Sequence, residues 1–255
     1  KEVLEYGNYY WKDGKPFTDS LWEPCDKITA RWTRPKNFKV PEGQKVDLAW
    51  ENYLPMMNVQ FISACDPFQN DITEDKINSK ASSSVLNRFE EGTNDFFYDE
   101  MFICKYHYRP MMAKLFHMDM ALQCFHYGCQ LLVEAKMDGG LRKFFIDNGL
   151  AAFLIFLNGK ENAGIDPNQD NKVLLVNCWE EWLITHGKNG KMIYPDVIDD
   201  NEDGLLKFNI NNTEKSNQVM GLGWTLVADY YKRAIFRDPR PTAKISDYFR
   251  KHKAN

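Results

Sequence analysis

The chain has 255 residues, of which 44% are hydrophobic, 27% charged and 14% aromatic, and its formal net charge is -4. That length and apolar content allow one large domain or two small ones with their own cores, and they exclude disordered, collagen-like and low-complexity classes. With 32 Lys+Arg against 36 Asp+Glu and no long basic run, there is no electrostatic footprint for a phosphate backbone, so nucleic acid is not an expected partner.

The first residues, Lys-Glu-Val-Leu-Glu-Tyr, have neither an initiator Met nor an apolar secretory core, so the N-terminus reads as processed or trimmed. Residues 1–45 carry Pro16, Pro24, Pro35 and Pro41 with Trp11, Trp22 and Trp32, in no clear period of 2 or 3.6. They read as an irregular Trp/Pro-rich arm whose indoles must pack on the body or on another chain. From Val46, apolar residues recur at three- and four-residue steps (Trp50, Tyr53, Leu54, Met57, Phe61), which predicts a helix over 46–65, kinked at Pro55 and stopped by Asp66-Pro67.

Further helices are predicted over 74–91 and 95–108, the first ending at Gly92. Pro110 suits the first turn of another, over 111–137, where Leu115, Met118, Leu122, Phe125, Cys129 and Leu132 form an apolar stripe up to Gly139-Gly140. Segments 141–157, 173–186 and 218–236 complete the helical set. The longest apolar run, Leu150 to Leu157, is far below the roughly 18–20 residues a membrane-spanning helix needs, so no spanning segment is expected. Convincing two-residue alternation is almost absent. The expected organisation is therefore a mainly α protein, with an arm at 1–45, a helical domain at 46–236 and a tail at 237–255.

Thiols and imidazoles cluster at Cys104, His107, His117, Cys124, His126 and Cys129, the side chains that zinc and iron prefer. On one helix His107 and His126 would lie about 28 Å apart at ~1.5 Å per residue, so core thiols and partly buried histidines are the expected reading. Six cysteines in a chain this long read as reduced core thiols, which favours an intracellular compartment, cytoplasmic or organellar. One glycosylation-type triplet, Asn211-Asn212-Thr213, argues the other way. No nucleophile elbow, phosphate-binding glycine loop, dinucleotide fingerprint or His-Glu-x-x-His motif occurs. The adjacent Glu180 and Glu181 read as a solvated helix face.

The Asp/Asn-rich segments carry the sharper pattern. Asp199-Asp200-Asn201-Glu202-Asp203-Gly204-Leu205-Leu206 places side-chain oxygens at loop positions 1, 3 and 5, glycine at the turn and an aliphatic residue at position 8. Asp166, Asn168, Asp170, Lys172 and Val173 repeat it, with Asn171 at the turn, where Asn tolerates a left-handed backbone. These segments resemble the third and fourth loops of EF-hand proteins, particularly the sarcoplasmic calcium-binding and calcium-regulated photoprotein branch, and Asp66 to Ile77 resembles a shortened earlier hand. The resemblance implies a helix-loop-helix fold and calcium held by Asp166, Asn168, Asp170 and the Lys172 carbonyl, and by Asp199, Asn201, Asp203 and the Leu205 carbonyl. Position 12, where the family has a bidentate Glu, is Asn177 in one loop and Ile210 in the other, so any calcium binding is expected to be weak, and stronger in the Asp199 loop.

Three functions follow as expectations. The first is a non-catalytic accessory or scaffold subunit of a larger assembly on a degenerate EF-hand-like helical fold. Its partners would be other protein subunits, reached through the arm and through the tail face of Ile245, Tyr248, Phe249 and His252. The second is a calcium-binding buffer, sensor or carrier whose aromatic interior takes a small hydrophobic ligand. The third is an all-α enzyme with a site that no motif marks.

Overall fold

The computed structural model describes residues 3–49, 51–67, 80–88, 98–135, 140–157, 162–186, 194–199, 204–213 and 216–237. Its centre is a seven-stranded sheet, which overturns the mainly α expectation. The strands are β1 (Leu4–Trp11), β2 (Ser20–Pro24), β3 (Trp32–Pro35), β6 (Phe61–Asp66), β7 (Ala81–Asn87), β8 (Met101–Tyr108) and β9 (Gln130–Val133), in the spatial order β2-β1-β3-β8-β7-β6-β9. All neighbours are antiparallel except β6 and β9, which run parallel. A separate hairpin joins β4 (Val46–Ala49) to β5 (Asn52–Pro55).

The helices are α1 (Ala113–Tyr127), α2 (Leu141–Asp147), α3 (Gln169–Thr185), α4 (Pro195–Asp199) and α5 (Asn217–Arg237). One face of the sheet shares a core with α1 and α2 through Tyr9, Trp32, Phe61, Cys65, Phe116, Phe125 and Phe145. The other face packs on α3 and α5 through Ile62, Phe102, Leu175, Trp179, Leu222 and Trp224. The result is three layers, helix on sheet on helix.

Each correction has a local cause. Segment 46–65 is not a kinked helix; it holds β4, β5 and β6, and the three-and-four spacing came from strands of both sheets run together. In 74–91 only β7 is regular among the described residues, and 95–108 contains β8 in place of a helix. Strands β6, β7 and β8 are buried on both faces, so they read as continuous apolar or small-residue runs without alternation. An extra residue, Ile103, bulges β8 between the pairs Val85↔Cys104 and Leu86↔Phe102, which breaks the period again. The 1–45 arm is not irregular: it folds as β1, β2 and β3 into the main sheet. The helix expected over 111–137 ends at Tyr127, and 141–157 is helical only over α2, followed by a 3₁₀ turn at Ala151–Phe153. The helices at 173–186 and 218–236 match α3 and α5 closely. The accessory scaffold, the calcium buffer and photoprotein-like carrier, and the all-α enzyme were all built on a helical fold, and they fall with it. The 237–255 tail, beyond Arg237, lies outside the described residues.

Helix α1 stops because Gly128 takes a left-handed conformation (φ +59°), and a Cβ there would lie 2.4 Å from the carbonyl oxygen of Lys45. The chain turns at that point straight into β9. Among the described residues no helix is long and apolar enough to cross a membrane. Five of the six cysteines are buried, Cys25 is exposed, and all six are free thiols.

Candidate functional site

Of the residues expected to hold calcium, those described sit at the start of α3, at the end of α4 and in a 3₁₀ turn. Asn168 caps α3, its Oδ1 accepting from the Asn171 amide at 2.9 Å, while Asn171 Nδ2 donates to the Asp166 carbonyl at 2.7 Å. Asp170 and Lys172 belong to the first turn of α3, and Lys172 Nζ donates to Thr213 Oγ1 at 3.1 Å. Asp199 ends α4, Leu205 opens a 3₁₀ turn over Leu205–Lys207, and Asn201 and Asp203 lie outside the described residues, as does most of the Asp66–Ile77 segment. Among the described residues no group of three or more His, Cys, Asp or Glu side chains is placed to hold a metal ion.

The Cys/His set is dispersed as well. The His117 ring packs on Phe116 and Phe144, and the Cys104 thiol lies beside the Tyr9 and Tyr127 phenols, where burial pushes it up to about 12. What α1 presents to the sheet is a polar row, Asp119, Gln123 and Tyr127, spaced four residues apart on one face. Asp119 receives Arg31 Nη1 at 2.5 Å and the Tyr106 hydroxyl at 3.1 Å, and burial raises its carboxyl to about 7 against the pull of Arg31. Gln123 accepts from Trp32 Nε1 at 3.1 Å and donates to Ser63 Oγ at 2.8 Å and Ser83 Oγ at 2.7 Å. Both serine hydroxyls spend their protons on backbone carbonyls, which fixes the orientation of the Gln123 amide. The Tyr127 hydroxyl meets the Tyr9 hydroxyl at 2.8 Å.

The same logic runs on the opposite face. Gln218, Gly221, Thr225 and Asp229 of α5 meet Lys105, Ser82, Ser84 and Arg88 of the central strands and the residue that follows β7. Lys105 also pairs with Asp196 and lies over the Tyr194 ring. Apart from the close approach of Gly221 to Ser82, whose hydroxyl makes no hydrogen bond among the described residues, these contacts pair buried groups and lock both helices to the sheet.

One cluster is not closed in this way. Cross-strand pairing puts Glu5, Gly7, Tyr9 and Trp11 of β1, Ser20 and Trp22 of β2, and Trp32 and Arg34 of β3 on the face that α1 covers. Around the Tyr9 ring lie His126, with centroids 4.3 Å apart, and Trp22, at 4.9 Å. His126 Nδ1 is 3.0 Å from Ser20 Oγ, while its buried Nε2 makes no hydrogen bond among the described residues, and neither do the buried indole N–H groups of Trp11 and Trp22. The Arg34 guanidinium lies 4.2 Å above the Trp22 ring and gives its Nε to Glu5 at 2.6 Å. Burial, then the charges of Lys45 and Arg34, hold the His126 imidazole well below its ordinary range, so it is neutral at pH 7. Trp22, Arg34 and Lys45 are only half-buried, which opens the cluster to solvent on one side.

Unpaired buried donors cost roughly 1–3 kcal/mol each, so unpaired nitrogens on two rings packed against Tyr9, with a third on Trp11 of the same sheet face, are unusual for a group meant only to pack. The cluster assembles donors and cations: two indole N–H groups, a neutral imidazole, a hydroxyl, a guanidinium and an ammonium, with the Glu5 carboxylate paired to the guanidinium. Sequence reading singled out Trp11, Trp22 and His126 for other reasons and missed Tyr9, Ser20, Arg34 and Lys45. The available signal was period 2: Glu5, Gly7, Tyr9 and Trp11 alternate along β1. No protein-family model matches this chain, and no curated protein matches it either.

Proposed function

We propose that this protein binds a small anionic ligand, a carboxylate or an oxyanion of the phosphate and sulfate kind, in the cluster of Ser20, Trp22, Arg34, Lys45 and His126. The observation that carries the reading is the buried, neutral His126 ring, with Nε2 unpaired. With Ser20 Oγ–H donating to Nδ1, Nε2 carries the proton and acts as a donor, matching the indole and guanidinium donors around it. The two cations that disfavour an imidazolium also favour an anion.

A nucleophilic role for Ser20 is the weaker reading of the same pair. It would require His126 to become imidazolium as the hydroxyl is deprotonated, and burial together with Lys45 and Arg34 opposes that charge. Among the described residues no carboxylate orients the ring from its other nitrogen.

Titration of the whole chain with acetate, orthophosphate and sulfate, followed by tryptophan fluorescence and calorimetry, tests the proposal. Saturable binding is expected, with quenching from Trp22. Arg34→Met should weaken it about 10- to 100-fold, the loss of one charge-assisted hydrogen bond of roughly 1.5–3 kcal/mol. Absence of a saturable signal for all three anions would overturn it, as would unchanged affinity in Arg34→Met.

A further inference from the structure

We infer that His126 is the specificity-determining residue of this site and that it enters the complex as an imidazolium, taking up a proton as the anion binds. The inference rests on the anion-binding reading above.

The geometry gives the ring both hydrogen bonds it would then need. With the neutral ring accepting the Ser20 Oγ–H at Nδ1, Nε2 carries its proton and has no acceptor among the described residues. Once protonated, Nδ1–H donates to Ser20 Oγ, the serine hydroxyl proton is released from the ring, and Nε2–H remains available to the ligand. One added proton thus turns a donor–acceptor pair into two outward donors, a change of shape as well as charge.

The groups facing the ring come from every element around it. From β1 come the Tyr9 ring, at 4.3 Å, and its hydroxyl, held by Tyr127. From β2 comes Ser20, preceded by Asp19, whose Oδ1 accepts the Ser20 amide. The positive charges are Arg34 of β3, itself paired with Glu5, and Lys45 ahead of β4. On α1 the neighbour is Tyr127, at 4.9 Å between ring centroids, and its phenol and that of Tyr9 are kept protonated by burial. Burial first, and then the positive charge of Lys45 and Arg34, keeps the free ring neutral. An anion placed among these groups cancels that field, so the proton becomes favourable on the ring only when the ligand is present. A group carrying two negative charges cancels more of it than a monoanion does, which makes His126 the discriminator between them.

Sulfate is the probe, because it stays fully ionised from pH 5 to 8 and any pH dependence then belongs to the protein. Calorimetry of sulfate binding in two buffers with different ionisation enthalpies should show proton uptake approaching one per anion. Affinity should rise as pH falls, by at most about tenfold per unit for a single linked proton. His126→Gln, which keeps a side-chain donor, should bind with no uptake from this position and lose that part of the slope, and acetate should bind wild type more weakly than sulfate. In wild type, the His126 Cε1–H resonance of labelled protein should titrate higher with sulfate than without, a readout that does not depend on the variant folding. Sulfate binding without proton uptake, uptake that persists undiminished in His126→Gln, or an unmoved His126 titration would overturn the inference while leaving the anion site standing. No sulfate binding at any pH would remove the site and the inference together.

Discussion

Gly221→Val is expected to destabilise the protein by about 3 kcal/mol, seen as a melting temperature lower by roughly 6–12 °C in a chain of this size. Gly221 lies where α5 crosses the triple-serine stretch of β7. A Cβ there would meet Ser82 Oγ at 2.6 Å, Ser82 Cβ at 2.8 Å and the Ser82 backbone carbon at 2.9 Å. The backbone carbon cannot move without disturbing a strand paired on both sides, so valine forces the helix away from the sheet. Gly221→Ala tests the clash alone, since the methyl meets the same atoms while alanine favours a helix by about 1 kcal/mol. Thermal and urea unfolding should show the alanine variant less stable than wild type; a more stable one would show that the approach is loose.

Arg31→Ala should cost a similar amount, about 3–5 kcal/mol, because it removes one partner of a buried ion pair. Arg31 holds Asp119 at 2.5 Å, gives its Nε to Asn8 Oδ1 at 3.1 Å and its Nη2 to the Tyr9 carbonyl at 3.3 Å, and stacks on Trp32. The variant leaves Asp119 with the Tyr106 hydroxyl alone. The pH dependence gives the signature. Burial holds Asp119 at about 7 in the folded protein, above the usual ~4 of an unfolded chain, so the folded state binds the extra proton between those values. Its contribution is fully present below the ordinary carboxylate range and is lost as pH rises through about 7. Asp119→Asn should flatten that slope. Without Arg31 the carboxyl rises further, so the decline in Arg31→Ala extends above neutrality, and adding Asp119→Asn to it should restore much of the loss. Equal pH profiles for Arg31→Ala and wild type would refute this account.

How much of this was legible in the sequence varied with burial geometry. Helices α3 and α5 were readable by composition, as proline-free, apolar-rich segments long enough to form several helical turns. Helix α1 was found, and Leu122 and Phe125 of its predicted stripe are buried; Leu115 is exposed, and a further face, the polar row Asp119, Gln123 and Tyr127, is buried against the sheet unforeseen. Polar residues read as solvent-facing unless their partners are known, and those partners, Arg31, Trp32 and Tyr9, lie about 90 or more residues earlier in the chain. Strand β7 was hidden for the same reason, since Ser82, Ser83 and Ser84 are all buried with helices above and below. The Asp166 segment was read as a calcium loop from the spacing of its side-chain oxygens; in the structure the Asn168 side chain caps the start of α3.

The sheet itself has a narrow join. Strands β3 and β8 share two paired positions, Trp32↔Tyr106 and Thr33↔Lys105, with one further backbone bond from His107 to the Arg31 carbonyl. By contrast β7 pairs with β6 over six positions and with β8 over seven. Cooperative unfolding follows the density of such links, so the β2-β1-β3 unit should behave as its own foldon, opening before the β6–β8 centre melts. Its amide protons should exchange with solvent at lower protection than those of Val85 or Ala64, a difference that hydrogen-exchange mass spectrometry resolves. Ser20, Trp22 and Arg34 ride on that unit, while His126 belongs to the slower body. A ligand gripping both would act as a clasp across the join, and its first visible effect would be slower exchange in β1 to β3.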